Sequence, residues 1–372
     1  MRILHTESSL GWGGQEIRIL TEAAGMIGRG HKVALACPRN ARIYAEAPRF
    51  GVPVTALPVG RKRPQGVIAL RRFLATHPVD VVNAHSSTDA WLAALACGAL
   101  RTAPPLVRTR HISAAVPRDR LTRWLYTRAA AQVVTTGEAI RSALIREIGV
   151  APSRVTSIPT GVDPTRFAPR DKREARRGLG LPETTPLVGI CATLRSWKGH
   201  RFLVEAMPLL THRDAQLLIV GEGPQRTPLQ AQIATLGLGD RVRMIGNQND
   251  VAPWLAAFDV FALPSYADEG VPQALVQAMY VGAPCVTTTA GAIGEVAIAD
   301  HTAIVVAGQN AIALAAGIDR LLGDSALASR VVAAARARVE AKFSLASMLD
   351  QMEIVFRRAI DERSRRSRGT HH

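Results

Sequence analysis

The sequence predicts an α/β protein built from two doubly wound, Rossmann-like domains. Short runs rich in Val, Ile and Leu alternate with longer amphipathic stretches, a pattern typical of parallel strands covered by helices on both faces. At 372 residues the chain is too long for one compact core. The stretch SIPTGVDPTRFAPRD at 157–171 is dense in Pro, Gly and Asp, which is typical of a linker between domains.

The predicted elements alternate in both halves. After a first strand at the N-terminus and a helical pattern at 21–30, buried strands are predicted at KVALAC (32–37), VDVVNAH (79–85), PLVRTRH (105–111) and AQVVTTG (131–137). In the second half, strands are predicted at LVGICAT (187–193), AQLLIVG (215–221), VRMIG (242–246), VFALPS (260–265) and APCVTTT (283–289), with helices at 201–210 and 273–282. We therefore expect a first domain at 1–165 and a second at 166–345.

Composition limits the class of protein. The chain is 47% hydrophobic and 20% charged, without a low-complexity run and without an apolar stretch near the roughly 18 residues that span a bilayer. The opening residues MRILHTESS turn polar too early for a signal peptide. The four cysteines are scattered without metal-ligand spacing and are expected to be buried thiols in a reducing compartment. These features predict a cytoplasmic protein.

The net charge of +16 is uneven, with +12 in residues 1–165 and +4 in residues 166–372. A basic first half indicates an anionic partner, and a generally Arg-rich surface is the alternative. Nucleic acid is disfavoured, because aromatic residues make up 5% of the chain and no nucleic-acid motif is present. Two stretches, GRKRPQGVIALRRFL (60–74) and RDRLTRWLYTRA (118–129), mix basic and apolar residues at helical spacing, and we expect them to dock the first domain on anionic lipid.

Function in doubly wound folds collects at the carboxyl ends of the strands, and a ligand is expected in a cleft between two such domains. In the first domain, SSLGWGGQE (8–16) places Gly11, Gly13 and Gly14 before a helix, where backbone can approach a ligand and offer N–H donors. An ordinary tight turn remains the alternative. His85 and His111 each end a predicted strand and are expected to face the same cleft.

The second domain has three comparable turns. RSWKGH (195–200) places Lys198 after a strand, in a position suited to a phosphate, and VGEGPQR (220–226) is a glycine-rich turn. FALPSYADEGVPQ places Glu269 at a helix start, with Pro272 at or near the first helical position. The acceptors of Glu269 and the backbone donors that follow it can bracket a polyhydroxylated ligand. The alternative is an acid that caps its own helix.

Together these stretches resemble the family 4 glycosyltransferases, retaining enzymes with the two-domain GT-B fold. The resemblance covers nearly the whole chain, and its motifs follow the family's order: the Gly loop with Glu16, GHKV (30–33), IPTGVDPTRFAP (158–169), LRSWKGH, VGEGPQR, DVFALPS, and EGVP followed by QAMYVGAPCV. NAHSSTDAWLAAL and VRTRHIS look most like the subset that builds bacterial surface polysaccharide or lipopolysaccharide. The GT-B fold implies a helix at 346–360 that crosses back onto the first domain, followed by a basic tail at 361–372.

The resemblance implies a donor site in the second domain and an acceptor site in the first, with the nucleotide-sugar as co-substrate and neither a bound cofactor nor a metal. Lys198 would neutralise the diphosphate, Glu269 and the backbone after it would hold the sugar hydroxyls, and position 277 would hold the ribose. His111 would lie by the transferred sugar. The remaining donor-site residues implied are Gly13, Gly14, Arg195, Gly270, Val271 and Pro272. The acceptor would be a glycan or a lipid-linked glycan, which is expected to place the protein on the inner face of the cell membrane.

The sequence departs from the family pattern at two positions. The family usually has Glu eight positions after the first Glu of the motif, where this chain has Gln277. It usually has a basic residue five positions before the Lys, where this chain has Thr193, and Arg195 is a candidate substitute. Both changes weaken the nucleotide end of the site. They leave open a donor-binding or scaffold subunit with little transferase activity, and a GT-B sugar-nucleotide epimerase is a further alternative.

Overall fold

The structure is a computed structural model that describes residues 1–100, 102–112, 114–267 and 269–369, with side chains up to residue 365. The chain divides into two compact units. Unit 1 comprises Met1–Pro159 together with the C-terminal part of the chain from Ala346, and unit 2 comprises Thr160–Leu345.

Unit 1 contains a seven-stranded parallel sheet in the order β3-β2-β1-β4-β5-β6-β7. Its strands are β1 (Arg2–Thr6), β2 (Lys32–Cys37), β3 (Val54–Ala56), β4 (Val81–Ala84), β5 (Leu106–Arg110), β6 (Ala130–Thr135) and β7 (Val155–Ser157). The helices are α1 (Gly14–Gly28), α2 (Arg42–Glu46), α3 (Pro64–Thr76), α4 (Ser87–Gly98), α5 (Arg120–Trp124), α6 (Glu138–Ala143) and, from the end of the chain, α14 (Leu345–Gly369). The strand order reverses between β1 and β4, which is where a doubly wound sheet opens a ligand crevice.

Unit 2 repeats this architecture with a six-stranded parallel sheet in the order β10-β9-β8-β11-β12-β13. Its strands are β8 (Leu187–Cys191), β9 (Gln216–Val220), β10 (Val242–Gly246), β11 (Val260–Leu263), β12 (Cys285–Thr287) and β13 (Ile304–Val305). The helices are α7 (Lys172–Gly178), α8 (His200–Ala206), α9 (Arg226–Thr235), α10 (Ala252–Ala257), α11 (Gln273–Val281), α12 (Ala311–Gly323) and α13 (Ser325–Lys342). The order reverses between β8 and β11, so the carboxyl ends of these two strands are the equivalent crevice.

Each unit has its own apolar core. The unit 2 core buries Phe258 and Phe261 almost completely. Gly189 in β8 makes room for one of these rings, since a Cβ at that position would lie 2.2 Å from the Phe258 ring. All four cysteines are buried and free, as predicted.

Each predicted strand overlaps a strand of the structure. The polar residues at the ends of the predicted runs lie just outside the hydrogen-bonded ladders. Three short strands are not among the predicted ones: β3, β7 and β13, which have three, three and two residues. The helix predicted over 201–210 ends as α8 at Ala206 and continues as a 3-10 turn over Met207–Leu209, because Pro208 has no N–H to donate.

The division between the units lies at 159/160 rather than at the predicted 165/166. Val162 N–H donates to Phe343 O at 2.8 Å, and Leu345 N–H donates to Val162 O at 2.9 Å. A Cβ on Gly161 would lie 2.5 Å from Ser344 O. These close contacts tie residues 160–165 to the end of unit 2.

The last helix, α14, belongs to unit 1. It runs through the predicted 346–360 helix and on to Gly369, so most of the predicted basic tail is helical, and residues 370–372 lie outside the described residues. Phe356 and Ala359 are buried, and Gln132 donates to Glu362 Oε1 at 2.8 Å, which extends the contact beyond residue 360. No helix of the described chain is both long enough and apolar enough to cross a membrane.

Candidate active site

The carboxyl edge of the unit 2 sheet is closed by loops whose backbones touch. A Cβ on Gly221, after β9, would lie 2.0 Å from Ala192 O, after β8. Leu194 N–H donates to Glu222 O at 3.0 Å, and Gly221 N–H donates to Gly246 O at 2.8 Å. Because glycine is required at these close approaches and at the positive φ of 145° of Gly221, the loops form a narrow backbone-lined edge.

The loops after β8, β11 and β12 are joined in the same way. Gly199 has φ of 76°, and a Cβ there would lie 2.1 Å from Pro264 O. Gly291 has φ of 57°, and a Cβ there would lie 2.1 Å from Glu269 O, which also accepts from Ala292 N–H at 3.1 Å. Lys198 and Glu269 are therefore carried on loops whose positions depend on each other.

Lys198 and Glu269 form an ion pair at this edge. Lys198 ends a 3-10 turn over Ser196–Lys198, and its Nζ donates to Glu269 Oε1 at 2.6 Å. The side chains are 20% and 6% exposed, respectively. A lysine ammonium has three donors, so two remain for a ligand while the carboxylate fixes the position of the charge.

The chain after Glu269 leads directly into α11. Gly270, Val271 and Pro272 are buried, and Pro272 directly precedes the first helical residue, as predicted. Gln277 lies one turn into α11 and is half-buried, and none of the described residues makes a hydrogen bond to its side chain. Its amide is therefore available to a ligand.

Arg195 and Thr193 precede the lysine turn. Arg195 is exposed, and its guanidinium lies 5.7 Å from the centroid of the Trp197 ring. Tyr266 N–H donates to Trp197 O at 2.9 Å, which holds this turn against the loop after β11. His200 follows the turn and is buried. Burial and the charge of Lys198 lower the pKa of the His200 imidazole to about 3.

In unit 1, the predicted glycine loop precedes α1, with Gly13 in extended conformation and Gly14 as the first helical residue. A buried carboxylate holds the start of this loop. Glu7 Oε1 accepts from the backbone N–H groups of Ser8 and Ser9, both at 2.7 Å, and from Ser86 Oγ at 2.5 Å. Burial, with the nearby charge of Asp89, raises the pKa of Glu7 to about 7.

The two histidines predicted at strand ends are brought together, and a third joins them. His85 Nδ1 lies 3.0 Å from His111 Nε2, and His85 Nε2 lies 2.8 Å from His5 Nδ1. His5 and His85 are buried and His111 is half-buried. His5 is not among the predicted site residues, although a histidine inside the apolar run of β1 is a usable signal. Glu7, which directly follows that strand, is not among them either.

The structure thus gathers Lys198, Glu269 and the residues after Glu269 at the edge of unit 2. It gathers His111, His85 and the glycine loop at the edge of unit 1. Gly291 completes the unit 2 edge, and no motif marks it in the sequence. Among the described residues, no group of three His, Cys, Asp or Glu side chains is arranged to hold a metal ion.

Each half of the chain matches a known family model. A family model described as Glycosyltransferase Family 4 matches residues 12–166, and one described as Glycosyl transferases group 1 matches residues 171–338. A D-inositol 3-phosphate glycosyltransferase of Xylanimonas cellulosilytica is 30% identical over 287 residues, covering 69% of this chain and 67% of the relative.

A GDP-mannose-dependent monoacylated alpha-(1-6)-phosphatidylinositol monomannoside mannosyltransferase of Corynebacterium glutamicum is 34% identical over 200 residues. That match covers 50% of this chain and 52% of the relative, so the chain spans about half the length of this relative.

Two solved structures share the fold. A glycosyltransferase from Rickettsia africae has a TM-score of 0.85 at 22% identity, covering 96% of this chain and 98% of that chain. Anabaena HepE, solved in complex with UDP-glucose, has a TM-score of 0.85 at 23% identity, covering 95% and 98%. These similarities confirm the predicted fold class, two doubly wound α/β domains of the GT-B type.

Proposed function

Because the chain belongs to the glycosyltransferases described by the family 4 and group 1 models, we propose that it transfers a sugar from a nucleotide-sugar donor to an acceptor hydroxyl. The observation that carries the proposal is the Lys198–Glu269 pair on the glycine-lined edge of unit 2. A positive charge held beside backbone donors is the arrangement needed to stabilise a leaving diphosphate.

In the proposed donor site, Lys198 contacts the diphosphate while one of its three N–H groups stays on Glu269. Position 193 holds Thr where the family usually has a basic residue. Arg195, which is exposed beside the same turn, supplies the second cation instead. Glu269, with its remaining acceptor sites, and the backbone of Gly270 and Val271 bind the sugar hydroxyls. Gln277 binds the ribose through its free amide.

The proposed reaction retains the configuration of the transferred sugar. The bond from the anomeric carbon to the phosphate oxygen breaks, and the acceptor oxygen forms the new bond on the same face. The acceptor proton passes to the leaving phosphate, so the step requires neither a carboxylate nucleophile nor a metal. Lys198 stabilises the charge that develops on the phosphate. We assign His111 to the transferred sugar, and Gly13 and Gly14 to the phosphates and the acceptor.

We propose a glycan or lipid-linked acceptor in the synthesis of cell-surface polysaccharide or lipopolysaccharide. The phosphatidylinositol mannoside named for the C. glutamicum relative and the diphosphoundecaprenol named for an Escherichia coli galactosyltransferase relative support a lipid-linked acceptor. The exposed basic and apolar residues of α5 support docking of unit 1 on anionic lipid at the cytoplasmic face of the membrane. Leu121 is 68% exposed and Trp124 is 39% exposed.

The test begins with a panel of sugar nucleotides in a thermal-shift assay, since a ligand that binds the folded state raises its melting temperature. The selected donor, labelled in the sugar, is then incubated with the protein and candidate acceptors. Sugar transfer with retained configuration supports the proposal. A new sugar nucleotide would identify an epimerase, and tight binding without turnover would identify a donor-binding subunit.

A further inference from the structure

Three histidine rings form a continuous row across the carboxyl edge of the unit 1 sheet. His5 lies in β1, His85 follows β4 and His111 follows β5, three strands that are neighbours in the sheet. The ring centroids are 5.1 Å and 5.2 Å apart, and the facing nitrogens are 2.8 Å and 3.0 Å apart. Each pair of rings is therefore joined by one hydrogen bond.

Two helices and the loop after β6 hold the row in place. The backbone N–H of His85 donates to Asp89 Oδ2 at 2.9 Å, and Thr136 Oγ1 donates to the backbone carbonyl of His111 at 3.0 Å. The edge of the His5 ring packs against Phe356 of α14, with centroids 6.5 Å apart. These contacts come from three separate elements of unit 1, so the order of the rings does not depend on a ligand.

Burial favours the neutral form of all three rings. Burial lowers the pKa of His5 to about 3 and lowers the pKa values of His85 and His111 well below the ordinary value. The neighbouring guanidinium groups of Arg18 and Arg108 act in the same direction on His85 and His111.

The remaining charged groups near the row have partners of their own. Arg110 acts on the pKa of His111 in the same direction as the other two arginines, and Arg110 Nη2 donates to Ala114 O. Asp89 accepts from Thr6, and Glu22 Oε1 accepts from Asn83, while Glu22 Oε2 lies 3.6 Å from Arg18 Nε.

Neutrality leaves two proton arrangements for the row. A neutral imidazole has one N–H and one bare nitrogen, so the tautomers of three linked rings must change together. In one arrangement each ring carries its proton on Nδ1. In the other each carries it on Nε2, which leaves an N–H on His5 Nε2, a buried atom without a partner among the described residues. A buried N–H without an acceptor is rarer in proteins than an acceptor without a donor, which favours the first arrangement.

We propose that His5 and His85 are positioning residues that set the tautomer of His111, so that His111 presents an Nδ1–H donor. His85 donates its own Nδ1–H to His111 Nε2 and is in turn anchored by the Nδ1–H of His5. The inference rests on the proposed function for its catalytic consequence. His111 then offers a fixed donor to an oxygen of the transferred sugar, because the opposite arrangement leaves the buried His5 Nε2–H without an acceptor.

Nitrogen-15 NMR of the full chain, labelled at histidine, tests the tautomer without any substrate. The His111 signals are assigned by their loss in His111→Gln. We expect a protonated Nδ1 and a bare Nε2 at His111, unchanged from pH 7.5 to about pH 5. A protonated Nε2 on His111, or a ring that titrates near pH 6.5, would overturn the inference whether or not the protein transfers sugar.

Kinetics of two His85 variants test the consequence. His85→Leu removes both bonds, and we expect kcat to fall about tenfold to a hundredfold with an unchanged KM for the donor, the scale for misplacing a contact near the reacting atoms. His85→Gln keeps one donor and one acceptor and should restore most of the loss. His301→Leu, at an exposed histidine of unit 2, is the matched control and should leave kcat unchanged.

The two tests separate the possible failures. Wild-type kcat in His85→Leu, together with a large loss in His111→Leu, would refute the positioning role. If the wild-type protein transfers no sugar, the proposed function fails, and the NMR measurement still decides the tautomer of His111. If His85→Leu does not fold, as checked by circular dichroism, the wild-type spectrum and His85→Gln carry the test.

Discussion

Replacing Lys198 tests the proposed donor site directly. Its ammonium lies 2.6 Å from Glu269 Oε1 and has two further N–H groups for a ligand. In the proposed site, Lys198→Ala removes a preorganised charge from beside the leaving diphosphate. We expect kcat to fall by about a hundredfold or more, the scale for losing one such donor. Glu269→Ala should do likewise, because the sugar loses its positioning contact and Lys198 loses its anchor.

The same substitution has a separate effect on folding stability. Breaking a buried pair by removing one partner costs about 3–5 kcal/mol, and the cost here should be lower, about 2 kcal/mol, because one-fifth of the Lys198 side chain is exposed. The double variant Lys198→Ala/Glu269→Gln leaves no unpaired charge, so it should recover most of the stability and none of the activity. Stability and catalysis are thereby separated.

Initial rates with a labelled donor give kcat, and urea unfolding gives the free energy of unfolding. Lys172→Ala is the matched control, because it breaks another lysine–carboxylate pair of unit 2, with Asp259 at 2.8 Å, just before β11 rather than after it. We expect that control to keep the wild-type kcat. If Lys198→Ala and Glu269→Ala both stay within a few-fold of the wild type, the proposed donor site is wrong.

Four further outcomes are expected. Gln277→Glu should tighten nucleotide binding by about 1 kcal/mol in calorimetry, since a charged acceptor binds a diol more strongly; weaker binding would remove Gln277 from the site. Gly291→Ala should lower both stability and kcat, because its Cβ would lie 2.1 Å from Glu269 O, whereas Gly294→Ala, with nothing within 4 Å, should lower neither. Arg120→Glu combined with Arg123→Glu should reduce co-sedimentation with anionic vesicles at low salt, and equal wild-type binding to neutral vesicles would refute membrane docking by charge. The lowered pKa of His200 means that the unfolded chain binds a proton on this residue at a higher pH than the folded protein does, so the stability that His200 contributes is lost as pH falls from about 6.5 towards 3. His200→Gln should therefore lose less stability than the wild type over that range. Parallel curves of unfolding free energy against pH for the two proteins would contradict this.

The fold could be predicted from the sequence because buried parallel strands are nearly continuous apolar runs. β2 and β10 coincide with their predicted runs, KVALAC and VRMIG. The short strands β3 and β13 could not be predicted in this way, because they lie at the ends of their sheets and are too short to show a pattern. Their pairing is set by neighbouring strands rather than by their own residues.

Single residues of the proposed site can be proposed from sequence motifs, but their arrangement cannot. Lys198 and Glu269 each stand in a recognisable turn, but they are 71 residues apart, and their ion pair depends on how two loops pack. Gly291 and His5 show the same limit. The requirement for glycine at 291 comes from the approach of Glu269 O, and the proposed role of His5 comes from two rings that follow other strands.

The chain leaves unit 1 at Pro159 and returns to it at Ala346, and this order has a consequence for synthesis on the ribosome. The N-terminal sheet is made first, yet part of its covering layer is supplied by α14, which emerges only after unit 2. Leu349 packs against Gly25, and Glu362 accepts from Gln132. Unit 2 is contiguous and can complete its core as soon as residue 345 has been synthesised. Unit 1 keeps an uncovered apolar face until α14 has been synthesised. During translation the second domain is therefore the first to be finished, and a chain truncated before α14 should expose the core of unit 1 to chaperones and proteases.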